Sequence, residues 1–229
     1  TGIGYIGERD GRWPEKSGWG DMLNIAGFKN QGWNYFKSVF SDEAHISIGT
    51  LPLGRSGFHA DEATGHAAAN NNGSYRWRGS NWHWNYKQGE PVLVEVCTNH
   101  STAELFLNGK SLGSRSMSES PDRLLRWIVP FEQGTLTARA VVDGKEIFSE
   151  IQTTTAPSSL TLTSDRTSLE ADAYDVAHLV VQLKDEAGRP VKTQNLKVGF
   201  EIEGEAELLG VDTGAPDNVQ DFQSSSIVT

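Results

Sequence analysis

Apolar positions follow two different periods along this chain. Phe28, Trp33, Phe36 and Phe40 recur at helical spacing, with Tyr35 and Val39 four apart beside them. That pattern predicts one amphipathic helix covering a neighbouring surface. Ahead of it, Thr1 to Glu8 is a short β-branched and aromatic run punctuated by glycine, which reads as a strand. It enters a loop rich in Trp and Gly from Arg9 to Gly27. One strand, one loop and one helix cannot close a core alone.

Beyond the helix the period becomes two. Val92, Val94 and Val96 fall on one face, then Leu105 and Leu107, then Leu136, Ala138, Ala140 and Val142, each alternating with polar or mixed residues. Asn108-Gly109 sits between Leu107 and Lys110, and Asp143-Gly144 between Val142 and Lys145. Both dipeptides suit two-residue turns that need positive φ, so both predict β-hairpins. A first sandwich over about residues 87–154 follows. Ser41 to Tyr86 is rich in Gly, Asn, Ala and Ser and reads mostly as loop, with Ile46 to Leu53 as a candidate first strand.

Thr153 to Ser159 is small, polar and proline-containing, the composition of a short linker between rigid modules. A second sandwich is predicted after it. Its strands are Leu160 with Leu162, Ala177 to Leu183, Val198 to Ile202 and Glu207 to Val211, separated by turn clusters such as Asp185 to Pro190. An immunoglobulin-like sandwich takes about seven strands in about 100 residues, and Leu160 to Thr229 supplies too few.

Composition narrows the partners. The chain has 229 residues, a formal net charge of −10 and a pI near 5.0. Such a balance repels phosphate backbones, and no basic stripe is interleaved with aromatics, so nucleic acid is not an expected partner. No stretch approaches the ~20 apolar residues of a membrane helix. A single cysteine, Cys97, excludes an internal disulfide and lies in an apolar strand as a small core residue.

Tyr5-Ile-Gly-Glu8 and Ser17 to Lys29 resemble the end of the (β/α)8 catalytic barrel in glycoside hydrolase family 2, the β-galactosidase family. Trp82-His-Trp-Asn85 and Ala103 to Gly113 are similar to the β-sandwich that follows that barrel. Leu160 to Ala215, with Ser164-Asp-Arg166, Leu169 to Asp172 and Leu209-Gly-Val-Asp212, resembles a further immunoglobulin-like module. The implied fold is mainly β: two immunoglobulin-like sandwiches preceded by a strand-helix remnant of the barrel. The implied division is 1–48 for the remnant, 49–154 for the first sandwich with its N-terminal loop, and 155–229 for the second. Closing strands are then expected after Val228, and exposed sandwich edges are expected to allow homo-oligomers. The implied activity is that of a retaining O-glycosidase acting on a carbohydrate substrate, of which this chain is a non-catalytic part. A stand-alone carbohydrate-binding or adhesion module is the alternative, and the segment Thr1 to Phe40 discriminates against it. The resemblance favours a secreted or periplasmic parent, and the compartment stays open.

A retaining glycosidase needs two carboxylates about 5–5.5 Å apart. The resemblance implies that both lie on barrel strands upstream of this chain, so no catalytic residue is assigned here. Glu8 falls at the C-terminal end of a presumed barrel strand, the face where such barrels build their sites. With Arg9 it is a candidate substrate-side residue, or equally a loop anchor. Trp13 is a candidate for stacking on a sugar ring, and Trp19 reads rather as loop packing. Trp77, Trp82, Trp84 and Tyr86 alternate with polar residues. Trp82 and Trp84 therefore stand as sugar-stacking candidates, against the alternative of an aromatic face buried between domains. His59 to His66 lacks the spacing of a metal motif, and neither a metal site nor a cofactor is expected.

Overall fold

The computed structural model describes residues 22–70, 80–142, 144–215 and 217–228. Glu8, Arg9, Trp13, Trp19 and Trp77 lie outside these residues, as does the presumed barrel strand. The architecture is mainly β, as the alternation predicts.

Helix α1 spans Gln31–Phe40 and strand β1 spans Ile46–Pro52. A short hairpin follows, β2 (Phe58–Ala60) with β3 (Ala67–Ala69), in the stretch read as loop. Then come β4 (Pro91–Thr98), β5 (Thr102–Leu107), β6 (Lys110–Ser116), β7 (Leu125–Pro130), β8 (Thr135–Val142) and β9 (Lys145–Gln152). They form two antiparallel sheets, ordered β1-β4-β7 and β6-β5-β8-β9. The candidate strand at Ile46 thus pairs with β4 along its whole length, Ile46 opposite Thr98 and Pro52 opposite Val92.

Between the sheets lies one core. Val92, Val94 and Val96 of β4, Leu125, Trp127 and Val129 of β7, Leu105 and Leu107 of β5, and Leu136, Ala138 and Ala140 of β8 all point into it. Each is an alternate residue of its strand, which is why period two marked β4, β5 and β8 in the sequence. Burying a Val or Leu side chain contributes roughly 1.5–3 kcal/mol, so this layer carries much of the module's stability. Trp127 also ties the two sheets together, its indole N–H donating to the Gly113 carbonyl at 3.2 Å. The β5–β6 turn has Asn108 at φ 52° and Gly109 at φ 78°, the left-handed pair predicted for Asn-Gly.

Central strand β4 is buried on both faces. Its outer positions Leu93, Glu95 and Cys97 are 1%, 5% and 6% exposed. Helix α1 lies against β1 and β4, but not on the face its aromatics predict. The buried helical positions include Gln31, Asn34 and Ser38, spaced three and four apart. Their polar groups are satisfied: Gln31 Nε2 donates to the Ile48 carbonyl at 2.9 Å and Asn34 Nδ2 to Gln31 Oε1 at 3.1 Å. Gly49 makes the close approach possible, because a Cβ there would lie 2.8 Å from Gln31 Nε2. Trp33, Tyr35 and Phe36 are half-buried, while Phe40 is 79% exposed and stacks on Phe36 with centroids 5.9 Å apart.

The second module is sparser. β10 (Ser159–Ser164) pairs antiparallel with β11 (Leu179–Lys184), and β12 (Lys197–Gly199) with β13 (Ser226–Val228). Glu207 to Val211, expected as a strand, is irregular, with Val211 donating its N–H to the Phe222 carbonyl at 2.6 Å. Leu183, Val191, Val198, Val211 and Ile227 are buried, whereas Leu160, Leu162 and Leu179 are 54%, 57% and 49% exposed.

The segment read as a short linker is clamped from both sides. Asn85 donates to the Thr154 carbonyl at 2.7 Å and accepts from the Thr154 N–H and hydroxyl, each at 3.1 Å. From the other module, the Asp185 carboxylate accepts the Thr155 N–H at 3.2 Å. A segment held by hydrogen bonds from both neighbours is a joint rather than a free tether.

Candidate functional site

The two tryptophans proposed from sequence part company. Trp84 is fully buried, its ring 5.3 Å from Phe131 and 5.9 Å from Tyr86, and its Nε1 donates to the Glu132 carbonyl at 2.9 Å. A ring with no accessible face cannot stack on a ligand, so Trp84 is corrected to a core residue. Trp82 is half-buried, with the Lys192 ammonium 4.9 Å from its ring centroid. That contact joins the first sandwich to the second module and covers one face of the ring. Tyr86 belongs with Trp84: its hydroxyl lies 2.7 Å from Thr50 Oγ1, and burial raises its pKa. Burial likewise lowers the pKa of His83, and Lys192 adds to the effect.

A cleft that the sequence did not mark opens on the outer face of β7. It has a volume of about 330 Å³ and lies between the β2–β3 hairpin and the segment Met117 to Leu124. Arg126 forms its floor, on the face of β7 opposite Leu125 and Trp127. Its Nε lies 2.9 Å from Glu95 Oε1 and its Nη1 2.7 Å from Asp122 Oδ2. Ser80 Oγ donates to the other Glu95 oxygen at 2.7 Å. Burial opposes the Arg126 charge, and the two carboxylates outweigh it. Phe58 of β2 lies under the guanidinium, 4.4 Å from ring centroid to Cζ.

Arg115 of β6 forms a second wall. Its Nε donates to the Arg126 carbonyl at 3.3 Å and its Nη1 to the Ser114 carbonyl at 3.2 Å, and its Cζ stands 5.6 Å from the centre of the Trp127 ring. The Glu119 carboxylate, the Ser120 hydroxyl and the His66 imidazole also line the cleft, and none of them makes a hydrogen bond among the described residues. These residues come from β6, β7, the β2–β3 hairpin and an intervening turn. No local spacing connects them, and only the outward position of Arg126 between inward Leu125 and Trp127 was visible in the sequence.

Neither the cysteine nor the buried carboxylates among the described residues are free for nucleophilic chemistry. Cys97 is buried and its thiol is pushed up to about 12, chiefly by desolvation and then by Glu95. Both buried carboxylates among the described residues are held by arginine: Glu95 by Arg126, and Asp185 by Arg189 through contacts of 2.9 and 2.8 Å. No group of three or more His, Cys, Asp or Glu that could hold a metal ion occurs among them.

Comparison with known proteins adds a consistent set of similarities. A family described as Domain of unknown function (DUF4982) matches residues 89–148, and one described as Glycoside hydrolase family 2 C-terminal domain 5 matches residues 160–229. The beta-galactosidase BoGH2A of Bacteroides ovatus is 28% identical over 227 residues, covering 97% of this chain and 23% of that protein. A beta-glucuronidase of Formosa agariphila is 31% identical over 145 residues, covering 61% of this chain and 15% of that protein. The crystal structure of a glycosyl hydrolase family 2 member from Bacteroides cellulosilyticus superposes with a TM-score of 0.83 at 26% identity, covering 100% of this chain and 30% of that one. The chain therefore spans less than a quarter of the length of these two curated relatives.

Proposed function

We propose, for a chain that belongs to glycoside hydrolase family 2 and matches the C-terminal, non-catalytic part of its members, that it serves a retaining O-glycosidase of the β-galactosidase type. The observation that carries this reading is the superposition of the whole chain on a family 2 member. The engaged state of Glu95 and Asp185 supports the non-catalytic half of it, since a retaining enzyme needs one carboxylate free to attack and another free to carry a proton. The hydrolytic pair then belongs to the barrel of the complete protein, and Glu8, Arg9 and Trp13 are its substrate-side candidates in this chain.

Within that reading the barrel remnant ends near residue 45, so that β1 stays whole in the first sandwich. The clamped joint at Thr154 and Thr155 fastens the second module to it. Galactoside preference over glucuronide is the finer part of the proposal, and relatives of both kinds are similar to this chain. Assays of aryl β-galactoside and aryl β-glucuronide on the complete protein and on this chain test it. Galactoside turnover by the complete protein alone is expected. An inactive complete protein overturns the enzyme reading, and turnover by this chain overturns its non-catalytic role.

A further inference from the structure

We infer that the cleft between the β2–β3 hairpin and the Met117 to Leu124 segment is a binding subsite for one neutral pyranose unit, separate from the hydrolytic chemistry. Its volume of about 330 Å³ falls in the range of about 300–1,000 Å³ typical of small-ligand pockets. A pyranose presents vicinal hydroxyls, each both donor and acceptor, around an apolar ring. The cleft supplies the complement. Arg115 retains Nη2 as a donor, Glu119 brings an unengaged acceptor, and Ser120 and His66 can act either way. Phe58 gives the cleft an apolar wall beside them.

Charge decides the class of sugar. The two guanidiniums that line the cleft, Arg115 and Arg126, face two lining carboxylates, Glu119 and Asp122, with Glu95 beneath Arg126. Arg126 is spent on Glu95 and Asp122, and Glu119 offsets Arg115, so three carboxylates stand against two guanidiniums and an acidic sugar meets a net negative lining. Like-charge juxtaposition of that kind selects against anionic ligands. Choosing a sugar among polyhydroxylated ligands rests on the family reading above, whereas the site itself rests on the geometry.

The test is chemical-shift mapping of the ¹⁵N-labelled 229-residue chain with methyl β-galactoside, methyl β-glucoside and glucuronate, each up to high millimolar concentration. Neutral sugars are expected to shift the amides of Phe58, Arg115, Glu119 and Ser120, and glucuronate to leave them in place. Glu119→Gln and Arg115→Lys should each weaken neutral-sugar binding about tenfold, the second because an ammonium cannot reproduce the planar fork of a guanidinium. Lys192→Ala, at the distant Trp82 contact, should leave it unchanged. Absence of shifts at the cleft with all three sugars overturns the proposal, as do shifts confined to Trp82 and Lys192. Shifts with glucuronate alone overturn the neutral class. The wild-type mapping decides even if a variant fails to fold, and loss of hydrolysis by the complete protein bears only on the enzyme reading.

Discussion

The two modules of this chain were predicted alike, as sandwiches of alternating strands, and they solve the burial problem differently. In the first, two sheets face one another, and every alternate residue of β4, β7 and β8 meets a partner across the gap. In the second, β10 and β11 form a ribbon whose apolar residues Leu160, Leu162 and Leu179 stay about half exposed. An isolated two-stranded ribbon is marginal in water, because alternation creates an apolar face but nothing obliges a second layer to cover it. What holds the second module is in good part polar. Asp185, 1% exposed, gathers the Arg189 guanidinium and the N–H groups of Ala187, Arg189 and Thr155, and so fastens its own turn to the joint.

The contrast is broken most severely at Trp84. Trp84→Ala should cost about 3–5 kcal/mol, the usual range for emptying a large aromatic site, with the Glu132 carbonyl left without its donor. Chemical denaturation followed by fluorescence and by far-UV dichroism checks it. A cost below about 1 kcal/mol would mean that the core is not organised around this ring.

Acid should act on the second module next. Burial raises the Asp185 pKa, but the Arg189 side-chain and backbone bonds, the Thr155 bond and the Arg189 charge outweigh it and pull the carboxyl down to about 2. An ordinary aspartate titrates near 3.9. A group with a depressed folded pKa stabilises fully above its unfolded value and loses that contribution as pH falls toward its folded one. The loss is therefore expected between about pH 4 and pH 2, and Asp185→Asn should flatten it. Amide exchange at β10 and β11 across that window is the measurement, and identical acid profiles for wild type and variant would refute the role of Asp185.

The β5–β6 hairpin offers a smaller, local effect. Gly109→Val places a β-branched residue at φ 78° and should cost about 1–3 kcal/mol. An unchanged melting temperature would rule out the two-residue left-handed turn.

Least effect on stability, and most on association, is expected at the ribbon surface. Leu162→Lys should change folding free energy by no more than about 0.5 kcal/mol, since the residue is 57% exposed. Exposed apolar edges invite pairing between copies, so the same change should reduce any self-association seen by sedimentation velocity. A wild-type chain that stays monomeric at the highest soluble concentration would remove the expectation of homo-oligomers through these edges.

Much of this architecture was legible in the chain itself. Alternation set which residues of β4, β5 and β8 share a face, Asn108-Gly109 set a turn, and the motifs from Tyr5 to Gly113 pointed to the family. These features are local: a strand's period and a turn's φ are decided within a few residues. The covering of each face was not local. The 3.6-residue pattern of α1 identified an aromatic stripe, yet the helix rests on Gln31, Asn34 and Ser38 because Gly49 opens space there and the Ile48 carbonyl needs a donor. Trp82 and Trp84, two residues apart in one motif, separate into a joint contact and a core residue by the same logic. The cleft of Arg115, Glu119 and Arg126 exists only where the β2–β3 hairpin meets the stretch from β6 to β7. Sequence by itself determined periodicity, turns and kinship; tertiary structure alone decided which faces are buried, because burial depends on what a face meets rather than on the face.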